Sequence, residues 1–331
     1  MIIHLKKSVS PEQAIQLAEL HQSILLQGEF PTLITSSKVK TVDESLVPYA
    51  EAIFVIDTDI QLAGKQYIPT KRTIDFGGFA IGGNTNNALM ITGPCSVESE
   101  SQIEQCAELC VELGVKVLRA GAYKPRTSPY TFQGLGLEGL KLLDKMRTKH
   151  GLQIITEVRD STHIEEVIEY ADIVQIGAKA MYDQGILRKC AKTQKPVLLK
   201  RGFGTTLQEF VQAAEFLLSG GNLNVILCER GIRTFETKTR FTLDLCGVSW
   251  LKQYTNLPII LDPSHAIGYA YGVADLARAC VAMGIDGLLI ETHPNPKVAK
   301  SDAEQQLNFE EFRALHSSLG KVAEAVGYRL I

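Results

Sequence analysis

Cys95 stands in MITGPCSVES, between a Gly-Pro break and a Ser-x-Glu helix opening, directly after an apolar run. A thiol at a strand end can pack, attack or hold a metal, and the residues gathered around it decide which. Other ionisable side chains end apolar runs in the same way: Arg119, Lys124 and Arg126, then Glu157, Lys179, Lys200 and Arg201, Glu229, Arg230 and Arg233, Asp262 and His265, and Glu291 and His293. Two chemistries are contained in that set. Cys95, His265 and Glu291, with Asp302 in KVAKSDAEQQ, supply a thiolate, an imidazole and two carboxylates, a mixed soft and hard set that suits Mn²⁺, Fe²⁺, Co²⁺ or Zn²⁺. A lone cysteine packs more often than it ligates, and a lone loop aspartate is usually solvated. Glu291 is different, because an acid following GLLI needs a partner or a cation. Arg119, Lys124, Arg126, Lys200 and Arg230 form the second set. Converging like charges repel unless phosphate or carboxylate neutralises them, Arg by bidentate forks and Lys as a point charge.

The elements that must position these groups follow a regular rhythm. From residue 88 the apolar runs ALMITGP, KVLRAGA, QIITEV, DIVQIGA, PVLLKRG, NVILCERG, PIILDPSHA and GLLIETH read as eight strands, each followed by a helix-period segment such as SQIEQCAELCVELG or YGVADLARACVAMG. Near-continuous apolar strands alternating with amphipathic helices indicate a parallel sheet covered on both faces. Eight units over roughly 240 residues predict an α/β protein with a closed (β/α)8 TIM barrel. Every candidate residue named above except Asp302 then falls at the C-terminal end of a strand, the face where barrel active sites form. No GxGxxG follows the first strand to favour a dinucleotide fold.

Ahead of the barrel, residues 1–65 read as strand (MIIHLKK), helix (SPEQAIQLAELHQSILLQG), hairpin (FPTLITSSKVKTV), short helix (ESLVPYA) and strand (EAIFVID). The expected order is βαββαβ, a small ferredoxin-like unit. Residues 66–331 form the catalytic part, with an entry hairpin over 72–83 that would cap the closed end of the barrel.

Bulk properties exclude several classes. The 331 residues are 45% hydrophobic with a net charge of −3, which supplies no basic field for nucleic acid. No apolar stretch approaches the ~20 residues of a membrane span, and the start turns polar too early for a secretory signal, so a cytoplasmic protein is expected. The seven cysteines include no CxxC pair and read as reduced thiols.

The segments GPCSVES, LRAGAYKPRTSPYTFQGLG, LLKRG, CERGIRTFE, LDPSHAIG and IETHPNP, spread over residues 93–296, together resemble 3-deoxy-D-arabino-heptulosonate 7-phosphate (DAHP) synthases. The resemblance is to the type I beta branch, related to the 3-deoxy-D-manno-octulosonate 8-phosphate synthases. It implies a divalent-metal-dependent condensation of phosphoenolpyruvate with erythrose 4-phosphate, the first step of the shikimate route to aromatic amino acids. On this resemblance Cys95, His265, Glu291 and Asp302 are the metal ligands, with Mn²⁺ foremost among the ions. Arg119, Lys124, Lys179, Lys200 and Arg230 hold phosphoenolpyruvate, and Arg126, Thr127 and Ser128 hold erythrose 4-phosphate. Lys124 is placed to move a proton, with Glu157, Asp262 or a metal-bound water as alternatives. Homodimers or homotetramers, and feedback by tyrosine or phenylalanine through the N-terminal unit, are further implied.

Two departures stand out. The family usually places an arginine after Ile-Gly-Ala where this chain has Lys179, which keeps the charge but loses the fork. The N-terminal unit is abbreviated around SSKVKTVDE. Two other readings compete: the eight-carbon synthase, in which an Ala-Asn-Arg type segment typically replaces KPRTS, and a non-catalytic barrel that senses an aromatic amino acid.

Overall fold

The computed structural model describes residues 1–124 and 128–331; Arg126 and Thr127, assigned above to the aldose phosphate, lie outside the described residues. The chain opens with β1 (Ile2–Leu5), α1 (Pro11–Leu20), β2 (Ile24–Leu26), β3 (Thr32–Ile34) and β4 (Ala50–Phe54). They form an antiparallel sheet in the order β2-β3-β1-β4. The expected second helix is corrected to a single 3-10 turn, Val47–Tyr49, because Pro48 lies inside it and only a few residues remain before β4. The first helix is also shorter than its pattern. It stops at Leu20, where His21 caps it and Gln22 takes φ 48, and the freed Ile24–Leu26 becomes the first arm of the hairpin, displacing SSKVKTV from strand pairing.

The hairpin of β5 (Thr73–Asp75) and β6 (Ala80–Gly82) precedes the barrel. Its Ile74, Phe76 and Ile81 pack with Leu89, Val117, Ile155, Ile173, Leu198 and Ile260 inside the barrel. Gln153, the first residue of its strand, donates from Nε2 to the Phe76 carbonyl, which fixes the hairpin at the N-terminal end. As expected, this end is plugged, so a ligand must enter at the other.

The barrel strands are β7 (Asn87–Gly93), β8 (Val117–Arg119), β9 (Gln153–Val158), β10 (Ile173–Ile176), β11 (Val197–Lys200), β12 (Val225–Glu229), β13 (Ile259–Leu261) and β14 (Gly287–Glu291). All pair in parallel in chain order, and β14 returns to β7 with Gly287 opposite Leu89. The sheet is therefore closed. Between strands run α2 (Glu100–Leu113), α3 (Leu137–His150), α4 (Ile164–Tyr170), α5 (Gln184–Cys190), α6 (Leu207–Ser219), α7 (Leu245–Tyr254), α8 (Pro263–Ile267) and α9 (Ala270–Ala282); α10 (Phe309–Ala325) follows β14. Several starts are capped: Ser99 caps α2, and reciprocal capping boxes at Thr206/Glu209 and Asn308/Glu311 open α6 and α10. Their apolar faces close a second core layer around the strands. A short β15 (Arg329–Leu330), not expected from the sequence, pairs beside β7.

The connector between sheet and barrel is fastened to both, on the sheet side by Gln61, which accepts from the Met1 amine at 2.7 Å and donates to the Thr35 carbonyl at 3.0 Å. Leu62 and Ala63 donate their amides to Glu215 on α6 at 3.1 and 2.8 Å, and Asn256 Nδ2 donates to the carbonyls of Leu62 and Gly64. Among the described residues no helix is long and apolar enough to cross a membrane.

Candidate active site

Gly93 ends β7 with φ +140, where a Cβ would strike the Arg119 carbonyl, and the chain then turns so that Cys95 sits fully buried at the barrel mouth. Its Sγ lies 3.2 Å from Asp302 Oδ2, and ligand atoms of Cys95, Glu291 and Asp302 all fall within 4.8 Å of one another. His265 reaches the same place from α8. Its Nδ1 is 2.7 Å from Asp262 Oδ2, which leaves Nε2 facing Glu291 Oε1 at 3.4 Å. The four predicted metal ligands therefore converge from β7, β13, β14 and the loop before α10. A carboxylate behind the imidazole fixes the ring and its lone pair for a cation.

Electrostatics suit a cation here. Burial pulls the His265 imidazole below its ordinary value despite Asp262 and Glu291, which favours the neutral form a cation requires. Burial opposes ionisation of Glu291, yet His265 and Arg119 hold it below the usual carboxylate range. The same contest at Asp302 is settled by His265, Lys124 and Arg240, which keep it ionised. Without a metal the Cys95 thiol is pushed up to about 12, first by burial and then by Glu291, so a bound cation must displace its proton. Asp302 takes φ 45, ψ 43, a left-handed conformation that costs a non-glycine residue on the order of 1 kcal/mol and is a common form of strain at functional sites.

Several supports had no signal as ligands in the sequence. Ser301 Oγ approaches Cys95 Sγ at 2.7 Å, Gln306 Oε1 accepts from the Cys95 amide at 3.0 Å, and Gln305 Nε2 donates to Glu291 Oε2 at 2.5 Å. Within the polar run SDAEQQ, Ser301, Gln305 and Gln306 are buried although they lie outside the strands and long helices.

In front of this cluster opens a cavity of about 250 Å³. Its described lining carries six Lys and Arg side chains, Lys124, Lys179, Lys200, Arg230, Arg233 and Arg240, against two carboxylates, Glu157 and Asp302. That excess is what a multiply charged anion requires. Lys124 Nζ sits 3.0 Å from Cys95 Sγ; burial disfavours its charge, but Cys95 and Glu157 raise its affinity for the proton above the ordinary value. Lys200 pairs with Asp262 at 2.7 Å, and burial of Asp262 is outweighed by His265 and Lys200, which keep it strongly ionised. Glu157 is bonded by Gln175 Nε2 at 3.0 Å, and Gly177 leaves room for it, since a Cβ there would collide with its carboxylate.

Two predicted anion contacts are not among the described lining residues. Arg119 donates from Nη1 to Glu291 Oε1 and to the Pro94 carbonyl at 3.0 Å, while its Nε is buried without a hydrogen-bond partner among the described residues. Ser128 is outside the lining and fastens its own turn, accepting from the Tyr130 amide and, at its carbonyl, from Thr131 Oγ1. Arg201 is a brace rather than a ligand, held by Glu229 at 2.9 Å and Asp244 at 2.8 Å.

Comparison with known proteins accords with this geometry. The sequence pattern of the DAHP synthetase I family matches residues 65–327. The chain is 40% identical to a phospho-2-dehydro-3-deoxyheptonate aldolase of Thermotoga maritima, covering all of both chains. It is 30% identical to a 2-dehydro-3-deoxyphosphooctonate aldolase of Fusobacterium nucleatum, over 76% of this chain and 97% of that one. The crystal structure of the Thermotoga maritima DAHP synthase superposes with a TM-score of 0.81 at 40% identity, over 100% of this chain and 99% of that chain. A truncated form of that synthase superposes at 0.78 and 42% identity, covering 83% of this chain and 100% of the truncated one. The chain therefore belongs to the DAHP synthetase I family.

Proposed function

We propose that this chain condenses phosphoenolpyruvate with erythrose 4-phosphate, giving 3-deoxy-D-arabino-heptulosonate 7-phosphate and inorganic phosphate. The observation that carries this reading is one barrel mouth in which a cationic cavity lies directly against a buried Cys/His/Glu/Asp cluster. Lys124, Lys200 and Arg230 bind the phosphate and carboxylate of phosphoenolpyruvate, with Lys179 as a point charge at the rim. Arg119, paired with Glu291, completes the phosphoenolpyruvate set. Arg126, Thr127 and Ser128 take the aldose phosphate. KPRTS is present whole, which favours the four-carbon aldose over the eight-carbon reaction.

A divalent cation, Mn²⁺ foremost, held by Cys95, His265, Glu291 and Asp302, supplies Lewis-acid polarisation of the aldehyde when bound. The chain's own groups do the rest. The two substrates are held so that C3 of the enol phosphate faces the aldehyde carbon. As the C–C bond forms, the Lys124 ammonium gives its proton to the aldehyde oxygen; its raised proton affinity makes it a donor at rest. Water then adds at C2, with Glu157 or Asp262 as the candidate acceptor of its proton, and phosphate leaves.

A homodimer or homotetramer would be the assembly. Tyrosine or phenylalanine would be the feedback ligand and the cytoplasm the compartment. Incubating the purified chain with Mn²⁺, phosphoenolpyruvate and either erythrose 4-phosphate or arabinose 5-phosphate, and measuring phosphate release, tests the reading. Release with the four-carbon sugar is expected. Release with arabinose 5-phosphate alone, or with neither sugar, contradicts it.

A further inference from the structure

One wall of the cavity is built in a way that anion binding alone does not require. The Arg230 guanidinium lies over the ring of Phe241 with its carbon 4.3 Å from the centroid. Phe241 in turn stacks on Phe203 at 5.5 Å and 27°, and Arg233 covers Phe203 at 4.8 Å. A column Arg230–Phe241–Phe203–Arg233 thus runs along the cavity and joins the loop after β11 to the loop after β12.

The column is held by backbone as well as by stacking. Arg233 donates its amide to the Phe203 carbonyl at 2.6 Å, and Ile232 and Thr242 exchange two backbone bonds of 2.9 Å. Phe241 itself donates to the Ala266 carbonyl at 2.8 Å, beside the α8 turn that carries His265. Gly231, at φ +96, passes so close that a Cβ would meet the Phe241 and Ala266 side chains. The ring therefore has little freedom.

Arg230 is 5% exposed, and among the described residues its Nη1 is buried with no hydrogen-bond partner. That nitrogen is closed off from solvent, so a ligand in the cavity is met by the part of the guanidinium that lines it. Phe241 offers the guanidinium an aromatic face but accepts none of its in-plane hydrogen bonds. It fixes the plane while leaving the fork open.

We propose that Phe241 is a positioning residue for phosphoenolpyruvate, holding the Arg230 guanidinium by its stacked face so that the part of it lining the cavity meets the substrate's anionic group. Phe203 backs Phe241, and Arg233 closes the column from outside. The proposal rests on Arg230 being a phosphoenolpyruvate contact, as argued above. It goes further in assigning substrate affinity to an apolar side chain with no bond to offer the substrate.

The test uses the full chain saturated with Mn²⁺ and compares Phe241→Leu, Phe241→Tyr and Arg230→Ala by KM, kcat and direct calorimetric binding of phosphoenolpyruvate. Phe241→Leu keeps an apolar side chain but removes the π face. It is expected to weaken phosphoenolpyruvate binding and raise its KM by about twofold to thirtyfold, the span a cation–π contact supplies, with KM for erythrose 4-phosphate unchanged. Phe241→Tyr, which keeps the face, is expected to restore the original value. Normal phosphoenolpyruvate binding in Phe241→Leu, while Arg230→Ala is impaired, overturns the proposal and leaves the Arg230 reading standing. Normal binding in Arg230→Ala removes that reading and the proposal with it. A parallel rise in both KM values in Phe241→Leu, or failure of tyrosine to do better than leucine, shows general loosening of the mouth and also overturns it.

Discussion

Lys124 Nζ lies 3.0 Å from Cys95 Sγ and 3.1 Å from the Cys95 carbonyl oxygen, so the candidate proton donor is anchored on the residue that carries the candidate metal ligand. The anchoring couples the two roles. Cys95 and Glu157 favour its ammonium over the neutral amine, which suits the proposed role of proton donor. In Lys124→Ala, kcat should fall by about 10²- to 10⁴-fold, the usual contribution of a positioned acid, with metal still bound. A metal-saturated variant that keeps kcat within about tenfold would remove Lys124 from that role.

The aldose contact gives a separable prediction. Arg126→Ala should raise KM for erythrose 4-phosphate far more than KM for phosphoenolpyruvate, because Lys124, Lys200 and Arg230 remain to hold the enol phosphate. Steady-state kinetics with each substrate varied in turn reads this directly. Equal effects on both constants would place Arg126 elsewhere.

Glu215 predicts a pH dependence of stability. It is enclosed beneath the connector, where burial raises its carboxyl from 4.5 to about 7 although the amides of Leu62 and Ala63 favour the charge. A raised acid is protonated more readily in the folded chain. Its relative stabilisation is fully present below pH 4.5 and is lost as pH rises through about 7, a swing of at most on the order of 3 kcal/mol. Melting temperatures of the wild type and Glu215→Gln should therefore converge or cross as pH falls from 8 to 5, the wild type gaining relative to the variant. Parallel profiles would show that Glu215 does not titrate in that range.

The same contacts say where the small sheet can be removed. Cutting after residue 65 takes away Leu62 and Ala63, whose amides bind Glu215, whereas cutting before residue 60 keeps them. A chain beginning near residue 60 should fold and release phosphate, since every candidate metal and substrate residue lies later in the sequence. If the sheet carries feedback, tyrosine or phenylalanine will inhibit the full chain and not the shortened one, because an effector acts through a differential contact with two states. A shortened chain that folds and binds metal without turnover would contradict the independence of the two parts.

Much of this architecture was legible because period and burial agree along the barrel. Apolar runs such as PVLLKRG end in the functional residue itself, so strand position and site position are read together. The small sheet was less legible. In SPEQAIQLAELHQSILLQG the helical period continues past Leu20, and the left-handed Gln22 that ends α1 has no glycine to announce it. Cys95, His265 and Glu291 were marked by their place at strand ends. The roles of Ser301, Gln305 and Gln306 as supports were not, since neutral side chains gain meaning from the burial of their loop. Phe203 and Phe241 read as ordinary apolar residues until the guanidinium over one of them is seen.

The central claim is that Cys95, His265, Glu291 and Asp302 form one metal centre, and its most direct measurement is Co²⁺ titration of the chelator-treated full chain, followed by near-ultraviolet and visible absorption. A thiolate-to-cobalt charge-transfer band should rise and saturate at one equivalent. It should be absent in Cys95→Ala, whose other six cysteines remain, while phosphate release from phosphoenolpyruvate and erythrose 4-phosphate is lost in parallel. A charge-transfer band of full intensity in Cys95→Ala, or turnover near that of the wild type at matched metal occupancy, would contradict the claim.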